Sequence, residues 1–136
     1  MPFILATNAF YMSTQIPEAS QTYFDIDLAL SQIGDLDSLN SMLLMLQESL
    51  TSDLPKIASL LQQGDVPAAN RLLHALKGFI PIFCRESLCS HVVRVEGLSK
   101  LGPSAALVPA YAALQPELAQ LLCEVTSHLS AHGFAT

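Results

Sequence analysis

The sequence predicts an all-α protein, an antiparallel four-helix bundle with a short extra N-terminal helix. Three observations carry that expectation. Apolar residues recur at spacings of three and four over most of the chain after residue 23, the period of a helix with one buried face. Gly, Pro and Asp fall between these stretches at places suited to stop one helix and start the next. Strand-like alternation is nearly absent, and short connections make consecutive helices antiparallel neighbours.

The elements follow in order. Residues 1–22 hold no sustained period and carry Pro2 and Pro17. They read as a tail, a linker or a short docking segment, with the bundle spanning 23–133. In "YFDIDLALSQIG" (23–34), Asp25 or Asp27 caps a short helix that Gly34 ends. Residues 35–65 place Leu39, Leu43, Leu46, Leu50, Leu54, Ile57 and Leu61 along one face of a long helix stopped by Gly64. Pro55 lies inside it and is expected to kink it or mark a boundary. Asp65 and Pro67 open the next helix, a standard start signal. Another runs over 86–102 to Gly102–Pro103, and the last from about Ser104 to His132, shortened or bent at Pro109 and Pro116.

Bulk composition narrows the function classes. The chain has 136 residues, of which 51% are hydrophobic and 13% charged, and a mean hydropathy of +0.41. No uninterrupted apolar run reaches the roughly 18–20 residues of a spanning helix, and no Lys or Arg precedes the apolar patch in "MPFILATNAFYMSTQ". Neither membrane insertion nor a secretory leader is expected. A net charge of −6 argues against general nucleic-acid binding. Cys84, Cys89 and Cys123 are odd in number and show no CxxC spacing, which favours buried, reduced thiols and a cytoplasmic setting. His128 and His132, or Cys84, Cys89 and His91, lie close in sequence, but neither set has the three or four converging ligands of a metal site. No metal or cofactor is expected.

The chemistry concentrates in "NRLLHALKGFIPIF" (70–83). On a helical wheel Ala69, Leu72, Leu73, Leu76, Phe79, Ile80 and Phe83 form an apolar stripe. His74 points about 150° away from it, toward solvent. Asn70, Arg71, Lys77, Gly78, Pro81 and Arg85 share its face, so three of the chain's six basic residues surround one histidine. A solvated imidazole is largely neutral at pH 7 and nucleophilic. Were it to take a phosphoryl group, Lys77 one turn on could neutralise the added charge. Gly78 leaves the helix surface bare beside the ring, at a cost of about 1 kcal/mol relative to Ala.

His74-Ala-Leu-Lys77-Gly78 resembles the HxxKG signature of histidine-containing phosphotransfer domains, and the resemblance extends over about residues 24–130. "FDIDLALSQIGD" looks like that family's leading segment, "LLQQGDVPAANRLLHALKG" like its helix end, turn and active helix, and Val95–Glu96 like the Leu–Glu pair that often follows. The resemblance implies a four-helix bundle that accepts phosphate on His74 from a receiver-domain aspartate and passes it to another receiver. Lys77 would stabilise the phosphate and Glu96 would orient the imidazole. Arg71 and Arg85 are candidates for partner docking, with apolar residues near His74, namely Leu73, Phe79 and Ile82. The implied partners are response-regulator receivers and a sensor or hybrid histidine kinase. The receiver would supply Mg²⁺ and the catalytic machinery, leaving this chain a phosphocarrier rather than an enzyme. It would act in the cytoplasm, free-standing or as the cytoplasmic end of a membrane-bound hybrid kinase.

The chain departs from the family pattern after Gly78. "FIPIFCR" stands where small residues and a Gly–Ala pair are usual. Pro81 removes the helix bond to the Lys77 carbonyl, so the active helix is expected to kink or end near 78–81. That departure motivates the alternative, a degenerate bundle that binds a receiver or kinase without accepting phosphate.

Overall fold

A computed structural model of the protein describes residues 22–103 and 105–134. Five helices account for most of them: α1 (Ile26–Ile33), α2 (Leu36–Gln62), α3 (Val66–Phe83), α4 (Glu86–Lys100) and α5 (Leu107–Ala131). Helix α2 packs on α3, α3 on α4, α4 on α5, and α5 back on α2, closing a four-membered ring. Helix α1 lies across α2 and α3. The protein is therefore an all-helical bundle, and among the described residues the β-type pairing is a single bridge between Phe24 and Cys84.

Local chemistry sets the boundaries. Asp25, Asp35 and Asp65 each sit just before a helix, and their carboxylates accept from the backbone N–H groups of Leu28, Ser38 and Ala68. These are the donors a helix start leaves unpaired. Gly34 closes α1 with φ 108°, a conformation that glycine adopts without steric cost. The core is the sum of the helical stripes. Leu39, Leu43, Leu46, Leu50, Leu54, Ile57 and Leu61 of α2 are all buried, each at its expected position.

None of the prolines inside the helices marks a helix boundary. Helix α2 continues through Pro55, α3 runs past Pro81 to Phe83, and α5 continues through Pro116. All three prolines lie on exposed faces, and the residues whose carbonyls lose a partner (Thr51, Lys77 and Ala112) are exposed or half-exposed. Water can take those carbonyls, so the helix is not forced to end. Pro109 is the third residue of α5, where its missing N–H would be unpaired in any case. The last helix starts at Leu107 rather than near Ser104.

A short strap fastens the end of α3. Asp25 N–H donates to the Phe83 carbonyl at 2.8 Å, and Arg85 N–H to the Tyr23 carbonyl at 2.9 Å. The N–H groups of Thr22, Tyr23 and Phe24 all donate to the Glu124 carboxylate of α5, at 3.0, 2.9 and 2.9 Å. Glu124 is fully buried, as is Phe24. Thr22, expected in the tail, is thus tied to the bundle; the rest of the 1–22 segment lies outside the described residues.

Replacing Glu124 with Ala should cost about 2–4 kcal/mol in urea denaturation, because it strands backbone donors that are largely out of reach of water. Glu124→Gln keeps one acceptor oxygen and should cost roughly half as much.

Candidate functional site

Helix α3 buries Val66, Ala69, Leu73, Leu76, Ile80 and Phe83, and so turns His74 outward, leaving its side chain 64% exposed. Helix α4 buries Leu88, Val92, Val95 and Ser99 at spacings of four, three and four. Glu96 belongs to the same buried set, at 1% exposure. A carboxylate at a core position of α4 thus faces the polar edge of α3.

The contacts around Glu96 follow from that burial. Lys77 Nζ donates to Oε1 at 3.1 Å. His74 Nδ1 stands 3.4 Å from Oε2, and Asn70 Nδ2 donates to the same oxygen at 3.1 Å. Asn70 Nδ2 also reaches Ser99 Oγ at 2.8 Å, and Ser99 Oγ donates to the Glu96 carbonyl at 2.7 Å. Burial pushes the Glu96 carboxyl up, but the hydrogen bonds from Lys77, Asn70 and His74 and the charge of Lys100 together outweigh it. The net direction is downward, so Glu96 is ionised at neutral pH. A carboxylate beside Nδ1 favours the proton on that nitrogen, which leaves the lone pair on Nε2 across the ring.

The remaining candidates separate into those beside this group and those apart from it. Gly78 is exposed one turn after His74. A Cβ built there, or at Gly97 beside Glu96, meets nothing within 4 Å, so packing within the chain does not demand either glycine. Arg71 is exposed one turn before His74. Arg85 is not part of the group. It opens α4 beyond the far end of α3, with Nε 3.9 Å from Asp25 Oδ2 and Nη1 donating to the Thr22 carbonyl at 3.4 Å.

Leu73, expected on the docking face, is fully buried, because the stripe that excludes His74 includes its neighbour. Phe79 and Ile82 are half-buried. Val93, one turn before Glu96 on α4, is 49% exposed and supplies apolar surface that the sequence reading missed. Asn70 and Ser99 were likewise unassigned. The legible signal was polarity where the α4 period calls for apolar residues, at Glu96 and Ser99.

Two other histidines are paired through a ring nitrogen, while Nε2 of His91 is buried without a hydrogen-bond partner among the described residues. His91 Nδ1 pairs with Glu117 at 2.8 Å and His128 Nε2 with Asn40 Oδ1 at 2.7 Å. Among the described residues no group of three or more His, Cys, Asp and Glu side chains could hold a metal ion, and no helix is long and apolar enough to cross a membrane. The three thiols are free, Cys84 buried and Cys89 half-buried, but Cys123 is exposed, against expectation. Burial pushes the Cys84 and Cys89 thiols up, away from nucleophilic thiolate. No protein-family model matches the chain, and neither the curated proteins nor the solved structures give a significant match.

Two outcomes follow from the geometry. The Glu96 carboxyl lies below its ordinary value of 4.5 in the folded protein. Its ionised form therefore stabilises the fold above that value, and the contribution is lost as the pH falls through the folded one. The stability difference between wild type and Glu96→Gln should shrink when urea melts are repeated from about pH 6 down to about pH 3. Gly78→Ala should raise stability by about 1 kcal/mol in the same assay, since the methyl group enters open space on a helix.

Proposed function

We propose that the protein is a histidine phosphotransfer module of a two-component phosphorelay, with His74 as phosphoacceptor. The observation that carries this reading is one buried carboxylate holding both an exposed imidazole and a lysine ammonium: Glu96 with His74 Nδ1 at 3.4 Å and Lys77 Nζ at 3.1 Å. The HxxKG resemblance supports it independently through the residue types at 74, 77 and 78.

In this reading the Nε2 lone pair of His74 attacks phosphorus in a receiver's aspartyl phosphate. The N–P bond forms as the P–O bond to the aspartate breaks, and the aspartate leaves as a carboxylate. The imidazole ring gains positive character, which Glu96 stabilises through Nδ1–H, as a buried carboxylate does for a catalytic histidine in hydrolases. Lys77 stands one turn from His74 and offers its ammonium to the phosphoryl oxygens. The receiver supplies Mg²⁺ and the acidic pocket; this chain supplies the nucleophile, a cation and a surface. The reverse sequence passes the group to a second receiver. Gly78 and Gly97 keep the floor around the ring low, and Val93 and Ile82 give the face apolar area for docking.

The alternative, a bundle that docks a receiver without accepting phosphate, rests on Pro81 and on "FIPIFCR" standing where small residues and a Gly–Ala pair are usual; only the first of these bears on the course of the helix. Helix α3 continues through Pro81 to Phe83, and His74 and Lys77 lie before it.

The test is transfer of labelled phosphate from a phosphorylated receiver domain to the wild-type protein and to His74→Gln. Acid-labile, base-stable label on the wild type alone is the expected result. Receiver binding without label would favour the docking module, and neither binding nor label would overturn both readings. Lys77→Ala should slow transfer by about tenfold to a hundredfold, measured as the single-turnover rate.

A further inference from the structure

We propose that Asn70 is a positioning residue for phosphotransfer: it holds the Glu96 carboxylate so that His74 keeps its proton on Nδ1 and presents Nε2 as the nucleophile. This rests on the phosphotransfer reading and extends it to a residue that touches neither the phosphoryl group nor the His74 ring.

The hydrogen bonds around Asn70 each have a definite direction. Asn70 Nδ2 lies within reach of three acceptors: Ser99 Oγ at 2.8 Å, Glu96 Oε2 at 3.1 Å and the Glu96 carbonyl at 3.4 Å. An amide has two hydrogens, so the two shorter contacts take them. Ser99 directs its own hydroxyl hydrogen to the Glu96 carbonyl at 2.7 Å, and its oxygen is left to accept from Asn70. A flipped amide would set Oδ1 against a carboxylate oxygen and a carbonyl. The orientation is therefore fixed by chemistry, and every hydrogen in the chain Ser99–Asn70–Glu96 has one direction.

What Asn70 contributes appears when the other partners of Glu96 are considered. Lys77 Nζ holds Oε1 at 3.1 Å, and its side chain is 30% exposed on a flexible stem. His74 Nδ1 is the longest contact, 3.4 Å from Oε2, and its ring is 64% exposed. Neither can by itself fix the carboxylate plane. Asn70 can, because it is half-buried, tied to buried Ser99, and bonded to the oxygen that His74 uses. Without it the carboxylate is free to rotate toward Lys77, and His74 loses its acceptor. The ring then reverts to the Nε2–H form that imidazole favours in water, with Nε2 no longer a lone-pair nucleophile.

Spacing gives the same result. Asn70, His74 and Lys77 stand at i, i+4 and i+7 on α3, one continuous face, and all three converge on a single acceptor of α4. Two of the three carry out the transfer in the proposed function, and the first sets the geometry for them.

The experiment uses the full chain labelled with ¹⁵N-histidine. The ring-nitrogen signals of His74 report its tautomer in wild type, Asn70→Ala and Ser99→Ala. In parallel, phosphate uptake is timed from phosphoramidate, a small donor that needs no receiver: the N–P bond to His74 forms as ammonia leaves. We expect Nδ1–H to dominate in the wild type, to lose that dominance in Asn70→Ala, and uptake to slow about fivefold. Ser99→Ala should move both readouts the same way by about twofold, and it keeps the test decisive should Asn70→Ala fail to fold. Variants with lowered melting points but unchanged ring signals and uptake would overturn the proposal and make Asn70 a clamp between α3 and α4. A tautomer shift in a protein whose wild type takes no label would uphold Asn70's hold on the ring and overturn the phosphotransfer reading.

Discussion

A carboxylate enters a protein interior as an anion only if donors come with it, and Glu96 is the point where this chain meets that demand. Helix α4 buries it at a position its own period reserves for an apolar side chain, and α4 supplies few donors of its own. Helix α3 must supply the rest, and it does so from one face at 70, 74 and 77. The desolvation of one residue on α4 thus accounts for the polar composition of α3 along two turns. It also explains why a histidine and a lysine three residues apart share a side of an otherwise apolar helix. Among the described residues the exposed imidazole is anchored through Nδ1, so its other edge stays available while the ring keeps its orientation.

Glu124 solves the same problem in a different way. Its donors are three consecutive backbone N–H groups and Gln120 Nε2. Backbone donors fixed by a strap cannot leave without unfolding it, which suits a fastening. The donors of Glu96 are side chains, two of them partly exposed, which can exchange partners while the fold stays intact. One buried carboxylate is therefore structural and the other adjustable. The strap also closes the end of α3: the carbonyl of Phe83 accepts from Asp25, the residue that follows the three held by Glu124.

How far the sequence revealed this depended on the range of the interaction. The apolar stripes were legible because burial repeats at every turn; all seven α2 positions named from spacing are buried. Helix starts at Asp25 and Asp65 were legible because a cap reaches only three residues. Whether Pro55, Pro81 and Pro116 would end their helices was not legible because a proline's cost depends on the face it occupies, and Leu73 was misplaced because neighbours on a helix point about 100° apart. Glu96 came from a family resemblance, not from periodicity. Asn70 and Ser99 went unassigned because their meaning lies in the register between α3 and α4. Glu124 was invisible for a stronger reason: its backbone donors lie about a hundred residues away along the chain.

The glycines bring the energetic and functional arguments together. Gly78 and Gly97 lie inside helices, each costing about 1 kcal/mol against Ala, and a Cβ at either would touch nothing. Packing within the chain therefore gives no reason for them, in a bundle whose core positions are otherwise filled. Both stand beside the Glu96 group, one four residues after His74 and the other next to Glu96 itself. Under the proposed phosphotransfer function, a nucleophile that must enter another protein's acidic pocket needs little side-chain height around the ring, because a collision there would keep Nε2 away from phosphorus. Glu96 holds the Lys77 ammonium at 3.1 Å, on the same carboxylate that His74 approaches, which under that proposal would keep the cation within reach of an incoming phosphoryl group. Stability given up at two glycines and a carboxylate buried at one position would then share one physical rationale: a low, pre-oriented and electrically balanced surface around His74.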